Sequence, residues 1–501
     1  MVKERLWKEE FKFHLKLQLL IVIFVTLSSY VYIPFGSVKA LLVYFIHFLL
    51  LQFSVFGFVY ILSVFKNLFF VLFPLIFLVF TSLSFWVYTQ DVTIALGLIQ
   101  AILETKTDIA IDTISIPFLG YLFISIIPLF FLMKRFKKLK TNGVKSPLFV
   151  LAIFGIITFF VVEHYKFGTF KRKLPYNAYF GLVDYLKTSN LELNEVVEDL
   201  VSTEKNIEII FVLGESVRAD HLGLNGYYRN TTPLLSIQKN IVSFKNIYTP
   251  LTYTAISVPQ ILTNKSITDV NHKKWTSVYS VLHKADFKTT WLGNQTLEKS
   301  YQKIVQTNDT VQIIDKFHSV LSFKKEKDME LLDFFEDEKI EENKITTLHM
   351  IGSHWYYNSR ISKQFKQYTP IVKSKYVGSS SAEELINSYD NTILYLDSFL
   401  NTLIHKLKKS SKKTILIYLS DHGETLGEDG KWFHAQEHEA SKNPAMLVWF
   451  SDNFKNSYPL KIKNLKAKKN DAITTDFLFH SIIDLAEIKN FKFDRTKSIF
   501  N

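Results

Sequence analysis

The sequence predicts a two-part protein: an N-terminal all-α membrane domain of five transmembrane helices, followed by a soluble α/β domain. Residues up to about 165 contain long apolar runs with few charges. After about residue 206, short strand-like runs alternate with helical patterns. Two of those runs end in acidic and imidazole side chains, which predicts a metal-binding edge of a sheet.

The apolar runs of the first third are each close to the ~20 residues that a helix needs to cross a bilayer. Buried core helices are the alternative, but five runs with so few charges favour membrane spans. No small-residue cleavage site follows the first run, so a removed signal peptide is not predicted. The predicted spans are 15–34, 40–62, 67–88, 113–133 and 147–164.

The distribution of positive charge predicts the orientation of these spans. Five cations lie between Lys3 and Lys16, before the first run, and six lie between Lys134 and Lys145, before the fifth. The loops predicted on the opposite side of the membrane carry far fewer cations. The positive-inside rule therefore places the N-terminus in the cytoplasm. Because five is an odd number, we expect everything after about residue 165 to lie on the far side of the membrane.

Composition excludes some classes of function. The formal net charge is +12, but much of it lies in the juxtamembrane loops and no nucleic-acid motif is present. We therefore expect contact with anionic lipid headgroups and no nucleic-acid partner. The chain has no cysteine, which excludes disulfides, thiolate metal ligands and a cysteine nucleophile.

The chain is predicted to fall into three regions: a transmembrane domain at 1–165, a polar and partly helical linker along the membrane surface at 166–206, and a soluble domain at 207–501. In the soluble domain, helical patterns such as 381–407 separate the strand-like runs. This alternation predicts a largely parallel sheet whose carboxyl-end loops form the site. The strand-like runs are Ile207–Leu213, Lys288–Leu292, Ile345–Ile351, Thr414–Leu419 and Ala445–Phe450.

Two strand ends carry metal-ligand side chains. Asp421 and His422 directly follow one buried-strand pattern, and Glu215 follows another. Taken separately, each could be a helix cap or a surface residue. Together they predict one divalent metal, most naturally zinc, with three protein ligands and an open fourth position.

A hydroxyl nucleophile beside that metal would complete a catalytic site. Free serine and threonine are poor nucleophiles at neutral pH, and zinc lowers the pKa of a coordinated oxygen. The segment from Pro250 to Pro259 contains several candidates, and the residues alone do not choose among them. They are Thr252, Thr254 and Ser257, with Thr249 just before the segment.

Several segments resemble the bacterial phosphoethanolamine transferases, which include the lipid A-modifying enzymes of polymyxin resistance. Residues 214–233 read GESVRADHLGLNGYYRNTTP, and shorter matching motifs lie at 252–259, 351–354, 388–397 and 420–424, in the order found in the family. The family belongs to the alkaline phosphatase and sulfatase superfamily. The resemblance therefore implies an alkaline phosphatase-like, sulfatase-type fold for the soluble domain.

The resemblance also implies roles for individual residues. The zinc ligands would be Glu215, Thr254, Asp421 and His422, with Thr254 also the nucleophile; one zinc site is expected and a second is possible. Two histidines, His354 and His434, match acid/base or phosphate-binding positions of the family. We expect Tyr389, Asp390 and Asn391 to belong to a packed helix outside the site. The substrate-binding candidates are Glu104, Asn294, Gln295, Lys299 and His438.

By this resemblance, the protein is expected to be an inner-membrane, multi-pass enzyme with its catalytic domain in the periplasm. It would move phosphoethanolamine from phosphatidylethanolamine, through a covalent Thr254 intermediate, to lipid A or another glycolipid or glycan of the envelope. A monomer is expected. One departure is that Pro250 and Gln260 stand where many relatives bracket the nucleophile with a disulfide.

Three alternatives remain open from the sequence. A glycerophosphate transferase or a phosphodiesterase could use the same fold. A non-catalytic envelope receptor could also keep it, although the full set of candidate ligands argues against that. A sulfatase is disfavoured because most sulfatases use a modified cysteine, and this chain has none.

Overall fold

The computed structural model describes residues 2–31, 38–90, 94–104, 114–165, 169–187, 191–268, 274–295, 297–314, 327–335, 342–374, 377–433 and 438–501. Apart from short segments at 101–113 and 376–378, the chain forms two compact units, residues 1–188 and 189–501.

The N-terminal part is helical. Its α-helices are α1 (Val2–Phe24), α2 (Val38–Val64), α3 (Lys66–Gln90), α4 (Leu96–Glu104), α5 (Ile116–Lys138), α6 (Pro147–His164) and α7 (Tyr176–Lys187). Helices α5 and α6 each begin with a Ser-x-Pro or Ser-Pro signal. The Ser115 side chain accepts from Phe118 N, and the Ser146 side chain accepts from Leu148 N.

Four of these helices are long and apolar enough to cross a membrane: 41–64, 66–89, 116–138 and 147–164. They confirm four of the five predicted spans. The first predicted span, 15–34, is not confirmed by the same measure. Its apolar residues share α1 with the charged residues from Lys3 to Lys16, and α1 ends at Phe24 before a 3₁₀ turn at Thr26–Tyr30.

Helices α2 and α6 cross in close backbone contact at two glycines. A Cβ atom added at Gly155 would lie 2.4 Å from the carbonyl oxygen of Phe53, and one added at Gly57 would lie 2.6 Å from the carbonyl oxygen of Ala152. Small residues at such crossings let membrane helices pack by van der Waals contact. The α2–α6 pair therefore depends on both glycines.

We expect Gly155→Ala to destabilise the membrane unit by about 1–3 kcal/mol, because even one methyl group overpacks this contact. The matched control is Gly120→Ala in α5, where an added Cβ meets nothing within 4 Å. Thermal unfolding of the detergent-solubilised protein, followed by size-exclusion chromatography, measures the difference. Equal melting temperatures for the two variants would show that the crossing tolerates a side chain.

The C-terminal unit is built on a seven-stranded sheet. Its strands are β1 (Ile207–Gly214), β2 (Ile241–Phe244), β3 (Lys288–Gly293), β4 (Thr310–Ile313), β5 (Lys344–His349), β6 (Lys413–Ser420) and β7 (Met446–Phe450). Their order is β2-β7-β6-β1-β5-β3-β4; β7 pairs antiparallel with β2 and with β6, and every other pair is parallel. The predicted largely parallel α/β sheet is therefore confirmed.

The register of the central strands determines where their carboxyl ends meet. Ser420 of β6 pairs with Gly214 of β1, and Leu213 of β1 pairs with His349 of β5. All eight residues of β1 are buried, as expected for a strand covered on both faces. The segments after β1, β5 and β6 therefore leave the sheet side by side at one edge.

Helices cover the sheet and carry the segments between strands. They are α8 (Pro233–Ser236), α9 (Thr254–Ile261), α10 (Val278–Lys284), α11 (Lys299–Val305), α12 (Tyr357–Arg360), α13 (Ala382–Leu407), α14 (Asp452–Ser457), α15 (Pro459–Ala467) and α16 (Phe477–Leu485). The longest, α13, starts with a capping box between Ser381 and Glu384.

Candidate metal centre and active site

Three potential metal ligands converge at the carboxyl edge of the sheet. Glu215 follows β1, and Asp421 and His422 follow β6; all three are at most 1% exposed. His422 Nε2 lies 3.4 Å from Glu215 Oε1 and 3.2 Å from Asp421 Oδ2. One ligand atom from each residue falls within 4.8 Å of the others. Two carboxylates and one imidazole in this arrangement fit a divalent metal with an open position.

Thr254 faces the same three side chains. Its Oγ1 lies 3.0 Å from Glu215 Oε2, 2.9 Å from Asp421 Oδ2 and 3.5 Å from His422 Nε2. Thr254 is the first residue of α9, whose amino end carries a partial positive charge. Its side chain is half-buried, whereas the three ligands are fully buried. The hydroxyl is thus placed between the ligands and the more open side of the site.

The neighbouring hydroxyls make other contacts. Thr249 Oγ1 accepts from Leu251 N, and Ser257 Oγ donates to the carbonyl oxygen of Thr254. Among the described contacts of the four candidate hydroxyls, those to the candidate ligands are made by Thr254.

The ligands are oriented by hydrogen bonds that occupy their outward-facing atoms. Asp421 Oδ1 accepts from Ser216 N at 3.1 Å and from His422 N at 2.8 Å, and Glu215 Oε1 accepts from Ser216 Oγ at 2.8 Å. His422 Nδ1 lies 2.8 Å from the carbonyl oxygen of Gly423, so Nδ1 carries the proton and the Nε2 lone pair faces the centre.

The electrostatics of the centre favour a cation. Burial, and then the neighbouring Glu215 carboxylate, raise the pKa of Asp421 well above its usual range. The carboxylates of Glu215 and Asp421 are buried, with ligand atoms within 4.8 Å of each other, and therefore repel each other. A divalent metal would offset that repulsion. The donor set therefore fits the metal that the sequence predicted.

Backbone conformation brings the segments after β1 and β5 together. Ser216 adopts a left-handed conformation (φ 59°), and Gly352 does the same (φ 52°). A Cβ atom at Gly352 would lie 2.8 Å from the carbonyl oxygen of Glu215, so only glycine fits there. Ser353 N also donates to that carbonyl at 3.0 Å. The segment that ends in His354 is thus held against the backbone of a ligand.

Tyr389, in the middle of α13, supports the segment after β1. Its hydroxyl donates to the carbonyl oxygen of Ser216 at 2.7 Å and accepts from Arg218 N at 2.9 Å. Tyr389 is fully buried. This confirms that it belongs to a packed helix, and it shows that the helix positions the ligand segment.

We expect Tyr389→Phe to lower the free energy of unfolding by about 1–3 kcal/mol, because two buried backbone groups lose their partner. Zinc affinity should fall with it, since Ser216 contacts two ligands. Thermal unfolding with and without added zinc measures both effects. Tyr248→Phe is the control, at a position 40% exposed. Unchanged stability in Tyr389→Phe would mean that water replaces the hydroxyl without cost.

Two of the predicted substrate-binding residues are buried within the protein scaffold. Asn294 Nδ2 donates to Asp328 Oδ1 at 2.8 Å, and Gln295 Nε2 donates to the carbonyl oxygen of Met350 at 2.7 Å. Gln295 Nε2 also lies 3.5 Å from Glu215 Oε2. Gln295 therefore borders the metal centre, whereas Asn294 supports the turn after β5.

Of the other predicted site residues, the structure describes the surroundings of three. His354 is partly exposed, with Nδ1 2.6 Å from the carbonyl oxygen of Trp355. Lys299 is exposed at the start of α11, and no described contact joins it to the ligands. His438 lies beside Asp429 and accepts from Ala440 N. His434 and the side chain of Glu104 lie outside the described residues.

Sequence reasoning missed two buried residues of this edge. Asp328 is fully buried and accepts from Ile351 N and Gly352 N, so it holds the turn after β5; burial raises its pKa. His349, the last residue of β5, is also fully buried, and burial lowers its pKa to about 4. No strand pattern marks Asp328, whereas His349 was visible as a polar residue inside a strand-like run.

The sheet, its order and the Glu/Asp/His/Thr arrangement at its carboxyl edge define an alkaline phosphatase-like α/β domain. Residues 208–488, more than half of the chain, match the sulfatase family. The chain therefore belongs to the sulfatase family.

Relatives and solved structures agree with this assignment. The chain is 30% identical over 339 residues to phosphoethanolamine transferase EptA of Salmonella typhimurium, covering 62% of this chain and 60% of that protein. The chain thus spans about 60% of the length of that curated relative. The comparisons confirm the family resemblance predicted from the motifs.

Two structures from Neisseria meningitidis extend the comparison. The integral membrane lipooligosaccharide phosphoethanolamine transferase A matches 98% of both chains, with a TM-score of 0.85 and 22% identity, which shows a shared fold. The soluble domain of that transferase matches 62% of this chain and 98% of its own, with a TM-score of 0.57 and 27% identity. A helical membrane region followed by a sulfatase-type domain is therefore the architecture of this chain.

Proposed function

We propose that this chain is a membrane-anchored, zinc-dependent phosphoethanolamine transferase. The observation that carries the proposal is the position of Thr254 Oγ1, within 3.5 Å of atoms of all three candidate metal ligands. A hydroxyl held in this way is suited to attack a phosphorus atom. Phosphoethanolamine as the transferred group is supported by the motifs at 214–233 and 252–259 and by a relative named for phosphoethanolamine transfer.

In the first half of the reaction, Thr254 Oγ1 attacks the phosphorus of phosphatidylethanolamine. Its proton passes to one of the two acid/base candidates, His354 or His434, because Glu215 and Asp421 would be occupied as metal ligands. An O–P bond forms to Thr254, the P–O bond to diacylglycerol breaks, and the departing oxygen takes up a proton from His354 or His434.

In the second half, a hydroxyl or phosphate oxygen of the acceptor attacks the same phosphorus. The bond to Thr254 breaks, its oxygen regains a proton, and phosphoethanolamine leaves on the acceptor. Zinc held by Glu215, Asp421 and His422 would lower the pKa of a hydroxyl beside it and offset charge on the phosphate. A covalent intermediate suits a site where two bulky lipids exchange in turn. The acceptor is lipid A or another envelope glycolipid or glycan.

The proposal includes a location. We infer a bacterial inner membrane with the N-terminus on its cytoplasmic side. The cations before the first predicted span and before α6 support that orientation through the positive-inside rule. The soluble unit lies in the periplasm when the first predicted span, 15–34, crosses the membrane in addition to the four long apolar helices. We expect the protein to act as a monomer on phosphatidylethanolamine in the same membrane.

Mass spectrometry of lipid A and core oligosaccharide, from cells with and without the gene, tests this function. We expect a phosphoethanolamine increment only when the gene is present. In parallel, the purified protein should release diacylglycerol from phosphatidylethanolamine. Diacylglycerol release without any lipopolysaccharide increment would redirect the acceptor to another glycan. No release at all would contradict the transferase function.

A further inference from the structure

The second half of the 214–233 motif supplies none of the candidate metal ligands, yet it builds an exposed aromatic surface. We call this the tyrosine patch: Tyr227, Tyr228, Arg229 and Tyr368. Tyr228 is 76% exposed. The Arg229 guanidinium lies between two rings, 5.3 Å from the Tyr228 centroid and 5.0 Å from the Tyr368 centroid. Tyr227, Arg229 and Tyr368 are half-buried around it.

The tyrosine patch is held rigidly from beneath by Asp390, which is fully buried. Its carboxylate accepts from Arg229 Nη1 at 2.8 Å and from the Tyr227 hydroxyl at 3.1 Å, and it pairs with His221 Nδ1 at 2.7 Å. Tyr227 also stacks on His221, with ring centroids 4.4 Å apart. The rings are therefore arranged before any ligand binds, which reduces the entropy cost of binding.

The tyrosine patch is connected to the metal centre through few residues. Asp390 follows Tyr389, whose hydroxyl bonds to Ser216, and Ser216 bonds to both Glu215 and Asp421. The patch and the candidate metal centre are thus linked by two adjacent residues of α13 and by the chain segment from Glu215 to Arg229. A molecule bound at the patch would be held by the same segment that carries Glu215.

The chemistry of the tyrosine patch favours a sugar over an anionic membrane surface. The buried Asp390 carboxylate neutralises the Arg229 charge at 2.8 Å, so the patch offers little net attraction to phosphate. It offers the Tyr228 ring, most of whose surface is exposed although the Tyr227 ring lies 4.6 Å away and Arg229 packs on it, and the hydroxyl groups of the patch. The C–H face of a pyranose stacks on such a ring, and its hydroxyls bond to neighbouring polar groups.

We propose that the tyrosine patch binds a sugar ring of the acceptor, with Tyr228 as the stacking platform. This inference rests on the proposed transferase function and assigns its acceptor class as a glycan or glycolipid. Tyr228 acts as a specificity residue for the second half-reaction and takes no part in donor cleavage.

The test compares Tyr228→Ala, Tyr228→Phe and wild type in the full-length, zinc-loaded protein. Donor hydrolysis is followed with headgroup-labelled phosphatidylethanolamine and no acceptor, and transfer is followed with purified lipid A. We expect Tyr228→Ala to raise the acceptor KM roughly tenfold, as for the loss of one ring-stacking contact, with donor hydrolysis unchanged. Tyr228→Phe keeps the ring and should stay near wild type. The control is Leu460→Ala, another exposed apolar residue (67% exposed).

Binding measured without turnover separates this inference from the proposed function. Titration calorimetry of the same proteins with a soluble glucosamine disaccharide should show weaker binding to Tyr228→Ala. An acceptor KM and a disaccharide affinity that do not change in Tyr228→Ala would overturn the sugar site. A parallel fall in donor hydrolysis, or a loss of binding only to anionic vesicles, would overturn it as well. Disaccharide binding that depends on Tyr228 in a protein with no donor turnover would support the sugar site and contradict the transferase.

Discussion

Replacing Thr254 by alanine is expected to lower phosphoethanolamine transfer by at least about three orders of magnitude, because it removes the nucleophile and with it the covalent route. The fold should survive, since the side chain is half-buried and its contacts are made with the metal ligands. The rate is measured as diacylglycerol release from phosphatidylethanolamine. Intact-mass analysis after rapid denaturation should detect phosphoethanolamine on wild type and none on Thr254→Ala.

Two further variants make this result specific. Thr254→Ser keeps a hydroxyl at the same position and should retain a measurable fraction of the activity. Thr252→Ala removes a neighbouring hydroxyl, in the segment where the sequence left the nucleophile undecided, and should keep wild-type activity. Full activity in Thr254→Ala, or a covalent mass increment on the Thr254→Ala protein, would contradict the proposed mechanism.

The second large effect concerns the metal. We expect wild type to bind one zinc per chain, and Asp421→Asn to weaken zinc binding by at least about 100-fold, because it removes a ligand charge from a three-residue set. Activity should be lost in parallel. Metal analysis of the purified protein and competition with a chelator measure the change. Asp429→Asn is the matched control, since the Asp429 side chain is 79% exposed.

The stability of Asp421→Asn should change in opposite directions with and without zinc. In metal-free protein, the substitution removes the repulsion between two buried carboxylates and should raise the melting temperature. With zinc present, wild type gains stability from binding that the variant loses. A melting temperature of wild type that does not respond to zinc, with full activity after chelation, would show that these residues do not hold a functional metal.

The sequence alone was sufficient for the elements that depend on local pattern. All five strand-like runs of the soluble domain form strands within a few residues of their predicted bounds, because short runs rich in apolar, β-branched and aromatic residues favour strands. Four membrane spans were equally evident from length and hydropathy. The ligands Glu215, Asp421 and His422 were predictable because each directly follows a strand, and parallel strands share one carboxyl edge.

The first predicted span, 15–34, is the one that helix length and hydropathy do not confirm. The apolar run was visible, but whether it forms a separate span depends on how far the helix extends into the charged residues before it. In the structure one helix, Val2–Phe24, includes both. The start and end of this helix depend on continuous backbone hydrogen bonding, which a hydropathy pattern does not measure.

By itself, the sequence determined the class of fold, the strand ends and a set of three candidate metal ligands, since each depends on residues close together in the chain. Only the tertiary structure decided which hydroxyl joins them: Thr254 meets Glu215 across 39 residues and Asp421 across 167. It also showed that Asn294 supports a turn and that Tyr228 stands exposed beside Arg229, which bonds to the buried Asp390. Contacts between distant segments depend on the register of strands and the packing of helices, which no local pattern records.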